Sequence, residues 1–366
     1  MGRQKTKRRS LNIIQGILLV VNIMCSIAQL ACAYSIYLNP IHFPNWSWLG
    51  LLFPIPLIAN ICFVMIWVFI NKKYILISLF AILCCTPQIR TYCPINIFQT
   101  PPNKQNHIKI LSYNVMYFDF IHHKEDLKDN EAMQYILNSD ADIICLQEAK
   151  YYDKTKLISL LKTKYDYVYK VVKSSTSICV ASRLPVVDTL SIKISDYSNQ
   201  CFISKILLNG DTLTLLNNHL ESYKLTNNDK QKYKDIFHNL SRQQHAKSIK
   251  KNFSHLEKKL VKANQIRAIQ ADMIDDYIAH CTTKYIIACG DFNDCSLSYV
   301  HQRLTNHLND AYTISGNGPG LSYHRSGMYF RIDNILVSDT FHPFKATIDK
   351  SITLSDHYPI FCTLYF

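Results

Sequence analysis

Charge is absent from three stretches near the N-terminus of this 366-residue chain. Residues 11–38 and 48–70 form long apolar runs without a charged side chain, and residues 74–89 form a shorter third run. A helix that crosses the hydrocarbon core of a membrane needs about 20 apolar residues, with about 17 the lower limit. The first two runs exceed that limit and the third is marginal, so we predict a membrane region over residues 1–90 with about three transmembrane helices.

Two further absences exclude other interpretations of these runs. No small-residue cleavage pattern follows the first run, and the run is longer than the roughly 7–15 apolar residues of a signal peptide, which argues against a cleaved signal. Polar residues do not alternate with apolar ones in these runs, which argues against a buried hairpin of a soluble core. Membrane spans at 11–38, 48–70 and 74–89 remain as the prediction.

No CxxC pair occurs among the thirteen cysteines, which argues against a structural zinc site. Six of the cysteines lie in or beside the predicted spans. Cys145, Cys179, Cys289 and Cys362 occupy apolar, strand-like runs, where a buried thiol behaves as a small hydrophobic side chain. An extracytoplasmic domain would permit disulfides, but the seven cysteines outside the spans are an odd number, and the sequence does not indicate which of them pair.

Basic residues are present where the apolar runs end, and they predict orientation. Five precede the first span, namely Arg3, Lys5, Lys7, Arg8 and Arg9. The loop at 39–47 carries no Lys or Arg, whereas Lys72 and Lys73 separate the second span from the third. Short basic flanks stay in the cytoplasm. The pattern predicts an integral protein of the cell (inner) membrane in which everything after about Thr91 lies on the extracytoplasmic side.

A second unit follows a linker at 91–106, which carries Pro94, Pro101 and Pro102. Short apolar runs predict strands at 108–115, 142–147, 166–172, 177–182, 200–208, 212–218, 284–289, 330–337 and 359–365. Residues from about 228 to 280 contain neither Gly nor Pro and are predicted to be helical. This mixture predicts an α/β (α+β) domain over 107–366, a four-layer β-sandwich of two sheets flanked by helices.

Polar residues end or follow five of the apolar runs, in the strings LSYNVMYF (111–118), IICLQEAK (143–150), NNHLES (217–222), IIACGDFND (286–294) and SDHYP (355–359). Their side chains are expected to converge at one edge of the sheets. Glu148 closes one run, and Asn114 and Asp356 have the same setting. Carboxylate and amide oxygens suit a hard cation, so Mg²⁺ or Mn²⁺ is the predicted cofactor.

The remaining polar residues of these strings predict phosphoryl chemistry. Asp291 and Asn293 are two apart, so in an extended segment they would point to the same side and could hold a water and a phosphate oxygen. His357 suits general acid or base work, and Asp333 is the natural partner to orient its ring. His219 offers a second imidazole.

With these strings in order, the chain resembles the endonuclease/exonuclease/phosphatase superfamily over about residues 107–366. The resemblance implies that Asn114 and Glu148 lie at the metal and the phosphate and that Asp356 assists the metal. It also implies that Asp291 and Asn293 hold the water or leaving group and that His357, paired with Asp333, is the catalytic imidazole.

Further positions carry over from the same resemblance. His219 matches a histidine found at the site in deoxyribonuclease I-like and sphingomyelinase-like members, and Asn217 is expected to line the phosphate pocket. Arg267 and Gln270 are expected to brace the fold. Ser177 stands where the superfamily usually has a glycine, which weakens any assignment of substrate from that loop.

The sequence leaves the substrate open, because the basic stretch after His219 has three possible roles. Eleven Lys or Arg face only three acidic residues between Lys224 and Lys262. Such a stretch can neutralise a nucleic-acid backbone, meet an anionic lipid surface, or form a solvated helical face. Cleavage of a nucleic-acid phosphodiester is narrowly favoured over cleavage of a phospholipid or sphingomyelin-type head group. A non-catalytic membrane protein that binds phosphate-bearing ligands is the alternative from another class. The predicted partners are thus a phosphodiester substrate and the lipid bilayer, and the sequence indicates no protein partner.

The charge pattern predicts the side of the membrane on which the C-terminal domain lies. A reporter that functions only outside the cytoplasm, fused after Phe366, should be active, because the basic flanks hold the N-terminus and the loop at 71–73 inside. A reporter that functions only in the cytoplasm serves as the matched control and should be silent. Activity of the cytoplasmic reporter would mean that residues 74–89 do not cross.

Overall fold

The N-terminal third forms helices whose lengths only partly match the predicted spans. This computed structural model describes residues 2–119, 126–151, 153, 155–173, 176–192, 194, 200–239, 246–325 and 327–366. Its first four helices are α1 (Gly2–Tyr34), α2 (Pro54–Ile70), α3 (Ile75–Cys84) and α4 (Thr86–Tyr92). In the described part, the helix at Ile13–Tyr37 is long and apolar enough to cross a membrane, and up to three spans exist if each bent pair of helices counts as one.

The second and third predicted spans are not single straight helices, because each is a pair of helices with a bend between them. The segment Pro44–Leu52 meets Pro54–Ile70 at 51°, and Lys72–Cys84 meets Thr86–Tyr92 at 62°. Pro54 and Pro87 lie in the first turn of the helices that follow these bends. A proline has no backbone N–H, so at these positions it cannot donate the hydrogen bond that would continue a preceding helix. The third predicted span, 74–89, is therefore two short helices.

Polar side chains pack inside the bundle of α1, α2 and α3. Asn22 donates to Ser78 Oγ at 2.6 Å and accepts from Trp67 Nε1 at 2.8 Å. Ser26 donates to Asn60 Oδ1 at 2.8 Å. Large apolar side chains point outward from the same helices, among them Ile14, Ile17, Met24, Ile58, Phe69 and Phe80. Interhelical hydrogen bonds inside an apolar exterior are typical of helices that associate in lipid.

Two six-stranded sheets form the second unit, as predicted. The first has the order β11-β12-β1-β2-β4-β3 and the second the order β5-β6-β7-β8-β10-β9. The strands are β1 (His107–Asn114), β2 (Ile143–Gln147), β3 (Tyr167–Lys173), β4 (Thr176–Ser182), β5 (Val186–Ile192), β6 (Gln200–Leu208), β7 (Asp211–His219), β8 (Tyr285–Asp291), β9 (Asn309–Asp310), β10 (Asp333–Val337), β11 (His342–Ile348) and β12 (Ile360–Tyr365). The predicted α/β sandwich is confirmed.

Helices cover the outer face of each sheet, and the main core lies between the sheets. The helices are α5 (Glu131–Asn138), α6 (Lys156–Leu161), α7 (Asn227–Asn239), α8 (Ala246–Ala279), α9 (Tyr299–Leu304) and α10 (Ala311–Ser315). Buried residues such as Ile110, Val180, Leu215 and Ile335 fill the space between the sheets. Separate apolar clusters lie under α5 and α6 on one face and under α8 and α9 on the other.

The strands that the sequence pattern missed are short or lie at sheet edges. In β5 the five residues that follow Val186 are all exposed or half-buried, and β11 contains Pro343 and a register shift. Edge strands expose one side to solvent and carry irregularities, so their apolar pattern is weak. The stretch predicted as loop-rich before residue 328 contains the short helices α9 and α10. Residues 240–245 of the predicted helical stretch lie outside the described residues.

The helical module docks onto the sandwich through a shared apolar cluster. Ala33, Ile36 and Phe53 pack with Cys295 and Leu297 of the second unit. The loop at 38–53 adds hydrogen bonds, because Asn264 Nδ2 donates to Ser47 Oγ at 2.9 Å and Asn39 Nδ2 donates to the Tyr299 hydroxyl at 3.2 Å. On the other side, Arg331 donates to the Thr91 carbonyl at 2.9 Å. The segment predicted as a linker is also attached, since Asn96 Nδ2 donates to the Gly316 carbonyl at 2.7 Å.

Gly50 is the tightest point of this interface, and replacing it should weaken the interface. A Cβ at Gly50 would stand 1.7 Å from the carbonyl oxygen of Leu297. Gly50→Ala should therefore destabilise the chain by about 1–3 kcal/mol, as overpacking commonly does. The measurement is the thermal midpoint of the purified 366-residue chain in detergent.

Gly16→Ala is the matched control, because nothing lies within 4 Å of a Cβ added there. This variant should keep or raise the midpoint, since alanine favours a helix more than glycine does. Equal midpoints for Gly50→Ala and the unaltered chain would contradict the docked arrangement.

Candidate active site

Five of the predicted site residues stand at one end of the two sheets because of strand register. Asn114 ends β1, and Glu148 directly follows its parallel neighbour β2. In the other sheet, His219 at the end of β7 pairs with Asp291 at the end of β8, and Asp333 at the start of β10 also pairs with Asp291. The sheets face one another, so these five side chains meet at the same end of the sandwich.

A close approach between β7 and β8 sets the position of Asp291. Gly290, which precedes it, has φ 125°, and a Cβ there would lie 2.0 Å from the Asn218 carbonyl oxygen. Only glycine fits both the conformation and the space. The Gly–Asp pair of the GDFN string is therefore explained by the backbone conformation at Gly290 as well as by the chemistry of Asp291.

Asp291 is the centre of the site and is almost fully buried. Its Oδ2 accepts from Asn114 Nδ2 at 3.0 Å and from Asn293 Nδ2 at 3.1 Å, and its Oδ1 accepts from the Asn293 backbone N–H at 2.8 Å. Burial raises the pKa of the Asp291 carboxyl, the nearby Asp333 raises it further, and His357, His219 and the Asn114 hydrogen bond oppose the rise. A carboxylate in this position can accept a hydrogen bond from a water in the adjoining cavity.

Asp291 and Asn293 were expected to lie together because their segment would be extended, and that reason is wrong. The two side chains do lie together, but the segment is not extended, because Asn293 has φ 53°. The chain turns back after β8, and the Asn293 backbone N–H donates to the side chain two residues before it. Asparagine and aspartate tolerate this left-handed conformation better than most residues.

His357 faces two carboxylates, one through each ring nitrogen. Its Nδ1 lies 2.8 Å from Asp333 Oδ2, and its Nε2 lies 3.7 Å from Asp291 Oδ2. Burial by itself would lower the pKa of His357, but Asp333 and Asp291 outweigh it and raise that pKa well above its usual value. The geometry predicted for the His357–Asp333 pair is present, and the hydrogen bond to Asp333 leaves Nε2 directed at the centre of the site.

Ser355 holds the SDHYP segment against β1, a role that the sequence reading missed. Its hydroxyl donates to the Asn114 carbonyl at 2.7 Å and accepts from the His357 backbone N–H at 3.1 Å. Tyr323 packs against the His357 ring with their centroids 5.3 Å apart. Ser355 could have been found from its place in the motif, but no local signal marks Tyr323.

Glu148 and His219 complete the polar centre. His219 Nε2 lies 3.6 Å from Glu148 Oε1 and 3.8 Å from Asp291 Oδ2. The buried Nδ1 of His219 has no hydrogen-bond partner. Burial raises the pKa of the Glu148 carboxyl, and the neighbouring imidazoles lower it in part. Glu148 has φ 52°, a strained conformation of the kind that clusters at functional sites.

The donor set of the centre fits a hard divalent cation. Glu148 and Asp356 present carboxylates to the same cavity as Asp291, and acidic groups whose pKa is raised by burial gain from a bound cation. One ligand atom from each of Asp291, Asp333 and His357 lies within 4.8 Å of the others, a further possible metal group. Asp333 and His357 of that group are already hydrogen-bonded to one another. Glu148 does not belong to that group, but it lines the same cavity as Asp291.

Asn217 does not line the cavity beside the site, although it was expected to line the phosphate pocket. Its side chain is fully buried between the sheets, where its amide donates to the carbonyls of Leu146 and Cys179 and accepts from Gln147 Nε2 at 2.7 Å. These bonds join β7 to β2 and β4. Asn217 therefore braces the two sheets, and its polar atoms are used before any ligand arrives.

Arg267 and Gln270 brace the loop that follows His219, as expected. Arg267 is fully buried and donates to the Glu221 carbonyl at 2.6 Å and to Asp294 Oδ2 at 3.2 Å. Its guanidinium stacks on Tyr223 with 4.2 Å to the ring centroid. Gln270 Oε1 accepts from the Glu221 backbone N–H at 2.9 Å. Both residues act on the shape of the site and do not face its centre.

A cavity of about 300 Å³ opens beside the polar centre. Its lining includes Glu148, Asp291 and His357 together with residues of α7 and α8. Lys224 and Lys230, from the basic stretch between Lys224 and Lys262, also line this cavity. Lys230 is half-buried, and burial lowers its pKa. The apolar side chains of the same wall were not anticipated.

The comparisons with known proteins agree with this geometry. A family model described as the Endonuclease/Exonuclease/phosphatase family matches residues 111–357. A model described as a domain of unknown function matches residues 15–92. No curated protein matches the chain in sequence.

Several solved structures share the fold at low sequence identity. D. rerio TDP2 complexed with single strand DNA product is 16% identical with a TM-score of 0.51, over 72% of this chain and 100% of that chain. The human Nocturnin catalytic domain with bound sulfate anion is 16% identical with a TM-score of 0.51, over 74% and 100%. An endonuclease/exonuclease/phosphatase from Bacteroides vulgatus is 14% identical with a TM-score of 0.51, over 72% and 100%.

Replacing either His357 or Asp291 at the centre of the site should abolish most activity. His357→Ala and Asp291→Ala should each lower kcat toward a phosphodiester by at least about 10²-fold, the scale of a lost acid–base or electrostatic group. Steady-state kinetics of the purified variants measures this effect, with circular dichroism to check folding. Cys281→Ser, at a half-buried thiol distant from the cavity lining, is the control and should keep wild-type turnover. Wild-type kcat in either test variant would remove that residue from the mechanism.

Proposed function

This chain belongs to the endonuclease/exonuclease/phosphatase family, and on that premise we propose that it is a divalent-metal-dependent hydrolase of phosphodiester bonds. The observation that carries the proposal is the buried arrangement around Asp291, in which two imidazoles and two amides converge on one carboxylate. Its distances are those of hydrogen bonds or close ion pairs. Structural ion pairs in a core rarely combine such groups with an adjoining cavity.

In the proposed reaction, a water oxygen forms a bond to phosphorus while the ester P–O bond opposite it breaks. Asp291 and Asn293 position the water, and a proton leaves it as the bond forms. His357, oriented by Asp333, accepts that proton, and the leaving oxygen takes a proton from solvent and departs as an alcohol. Asn114 and His219 stabilise the phosphate oxygens by hydrogen bonds. The products are a phosphate monoester and an alcohol.

Glu148, assisted by Asp356 and Asn114, would hold the metal ion. A bound Mg²⁺ or Mn²⁺ neutralises charge that develops on the phosphate and polarises the P–O bonds. The carboxylates of the site are close together and buried, so a cation also reduces their mutual repulsion.

The N-terminal module, residues 1–90, is proposed to anchor this activity in the membrane, with the catalytic domain at 107–366 on the extracytoplasmic side. The outward-facing apolar side chains of α1, α2 and α3 support anchoring. The loop at 38–53 and the end of the third helix both contact the sandwich, so they lie on one side of the bundle. Three crossings place them on the side opposite the basic N-terminus.

Two classes of phosphodiester fit the surroundings of the site. Lys224 and Lys230 line the cavity and Arg325 lines a neighbouring one, and these charges suit a nucleic-acid backbone. D. rerio TDP2, which shares the fold, is seen with a single strand DNA product. The apolar wall of the cavity favours a lipid phosphodiester. A non-catalytic phosphate-binding receptor has less support, because the side chains assigned to catalysis all keep their geometry.

Hydrolysis should require a hard cation. The purified 366-residue chain in detergent should cleave bis(4-nitrophenyl) phosphate with Mg²⁺ or Mn²⁺, because the available donors are mainly oxygen atoms, which suit these ions. Release of nitrophenolate measures the rate. A chelator should abolish the activity, and re-addition of Mg²⁺ should restore it. Full activity in excess chelator would refute the metal dependence. Glu148→Gln serves as the matched variant, and it should bind the ion more weakly and need more Mg²⁺ for half-maximal rate.

A further inference from the structure

The cavity beside the catalytic centre has a polar and an apolar part. The polar part carries the groups assigned to catalysis. The apolar part, called the apolar end, contains six aliphatic side chains, and four aromatic rings also line the cavity: Leu51, Leu225, Leu256, Leu260, Met328 and Ile332, with Tyr223, Tyr233, Tyr323 and Phe330. The volume of the whole cavity, about 300 Å³, is at the lower end of the roughly 300–1,000 Å³ of ligand pockets. The cavity is therefore large enough for part of a substrate, and its aliphatic side chains have little to offer a polar group.

Four separate parts of the chain build the apolar end. Leu225 comes from the loop before α7, Leu256 and Leu260 come from α8, Met328 and Ile332 come from the segment before β10, and Leu51 comes from the loop that joins the first two membrane helices. Leu256, Met328 and Ile332 are buried and the other three are half-buried, so the wall is packed and does not simply face solvent. The membrane module thus completes the wall of the catalytic cavity.

Leu51 also fixes how far this cavity is from the bilayer. It is three residues before Pro54, where α2 begins. Three residues of extended chain reach at most about 10 Å, and the headgroup layer of one leaflet is about 5–8 Å thick. The part of the cavity wall that Leu51 forms therefore lies within or directly above the headgroup layer when the bent pair Pro44–Leu52 and Pro54–Ile70 is one membrane span.

Lys230 stands where the polar and apolar ends meet. Its Nζ lies 3.5 Å from the Tyr323 hydroxyl, and Tyr323 packs on the ring of His357. The half-buried ammonium group faces the same cavity as Asp356. A cation at this boundary can meet a phosphate oxygen while the remainder of the ligand extends along the aliphatic wall.

We propose that the substrate is a phosphate ester of a lipid alcohol, taken from the bilayer, with its phosphate at Asp291 and His357 and the first part of its chain in the aliphatic end of the cavity. This inference rests on the proposed phosphodiester hydrolysis. Sites for single-stranded nucleic acid combine a basic groove with aromatic platforms for the bases. Here the lining carries six aliphatic side chains beside four aromatic ones, and two of those rings are already engaged, since Tyr223 stacks on Arg267 and Tyr323 packs on His357. Leu51 of the membrane module completes the lining, which favours the lipid ester.

A series of 4-nitrophenyl alkyl phosphates tests the proposal, with the alkyl chain lengthened from methyl to octyl and the 366-residue chain held in detergent with Mg²⁺. The value of kcat/KM should rise about fourfold for each added methylene until the cavity is filled, the factor expected when a methylene leaves water. A plateau should follow. Phospholipid vesicles and a single-stranded oligonucleotide are run beside the series.

Substitutions in the apolar wall should flatten the dependence on chain length. Leu51→Asn and Leu260→Asn should each reduce the slope of log kcat/KM by at least half, and Leu260→Met should keep it. Ile269→Asn is the matched control, because Ile269 is an exposed residue of the same helix α8 that does not line the cavity. The thermal midpoint of each variant is measured as well, and the two wall substitutions on different elements guard against a failure of one to fold.

The outcomes separate the substrate from the chemistry. No hydrolysis of any ester with Mg²⁺ would refute the proposed function itself. Metal-dependent cleavage without dependence on chain length, or with the oligonucleotide preferred over vesicles, would overturn the lipid inference and leave phosphodiester hydrolysis standing. An unchanged slope in both Leu51→Asn and Leu260→Asn would likewise refute the assignment of this wall.

Discussion

The burial of one carboxylate, Asp291, constrains the rest of the catalytic unit. A buried carboxyl group is costly unless hydrogen bonds or opposite charges surround it. Here amides from β1 and from the turn after β8 donate to it, and two imidazoles lie within 4 Å. Each of those partners ends a different strand or loop. Both sheets must therefore be in register for the carboxylate to be satisfied, which couples the geometry of the site to the packing of the sandwich.

Buried polar residues away from the centre protect this arrangement. Asn217 connects the sheets just below the site through carbonyls of β2 and β4. Arg267 and Gln270 hold the backbone after His219 from the long helix α8. Because Asn217 and Arg267 use their donors and Gln270 uses its acceptor within the fold, they set the positions of the reactive groups and leave the cavity to Glu148, His357 and their neighbours.

The N-terminal module is part of the same physical unit as the catalytic domain. Gly50 touches the backbone at Leu297, Phe53 is completely buried, and Leu51 reaches the catalytic cavity. An interface of this kind leaves little freedom for the catalytic domain to turn away from the membrane helices. The segment before α2 and the candidate active site therefore share one wall.

The sequence alone determined the family, the two-sheet class and most of the site. Local patterns were sufficient, because apolar runs predict strands and polar residues at their ends meet wherever parallel strands share an edge. The pairing of His357 with Asp333 also followed from residue type. The irregular edge strand β11 was missed, because its sequence pattern is weak. The role of Asn217 was wrong, because a motif shows that a polar residue is present but not which way it faces between two sheets. Only the tertiary structure decided that Asn293 reaches Asp291 through a turn, and that residues as distant as Leu51 and Leu260 form one wall, since contacts between remote segments depend on packing.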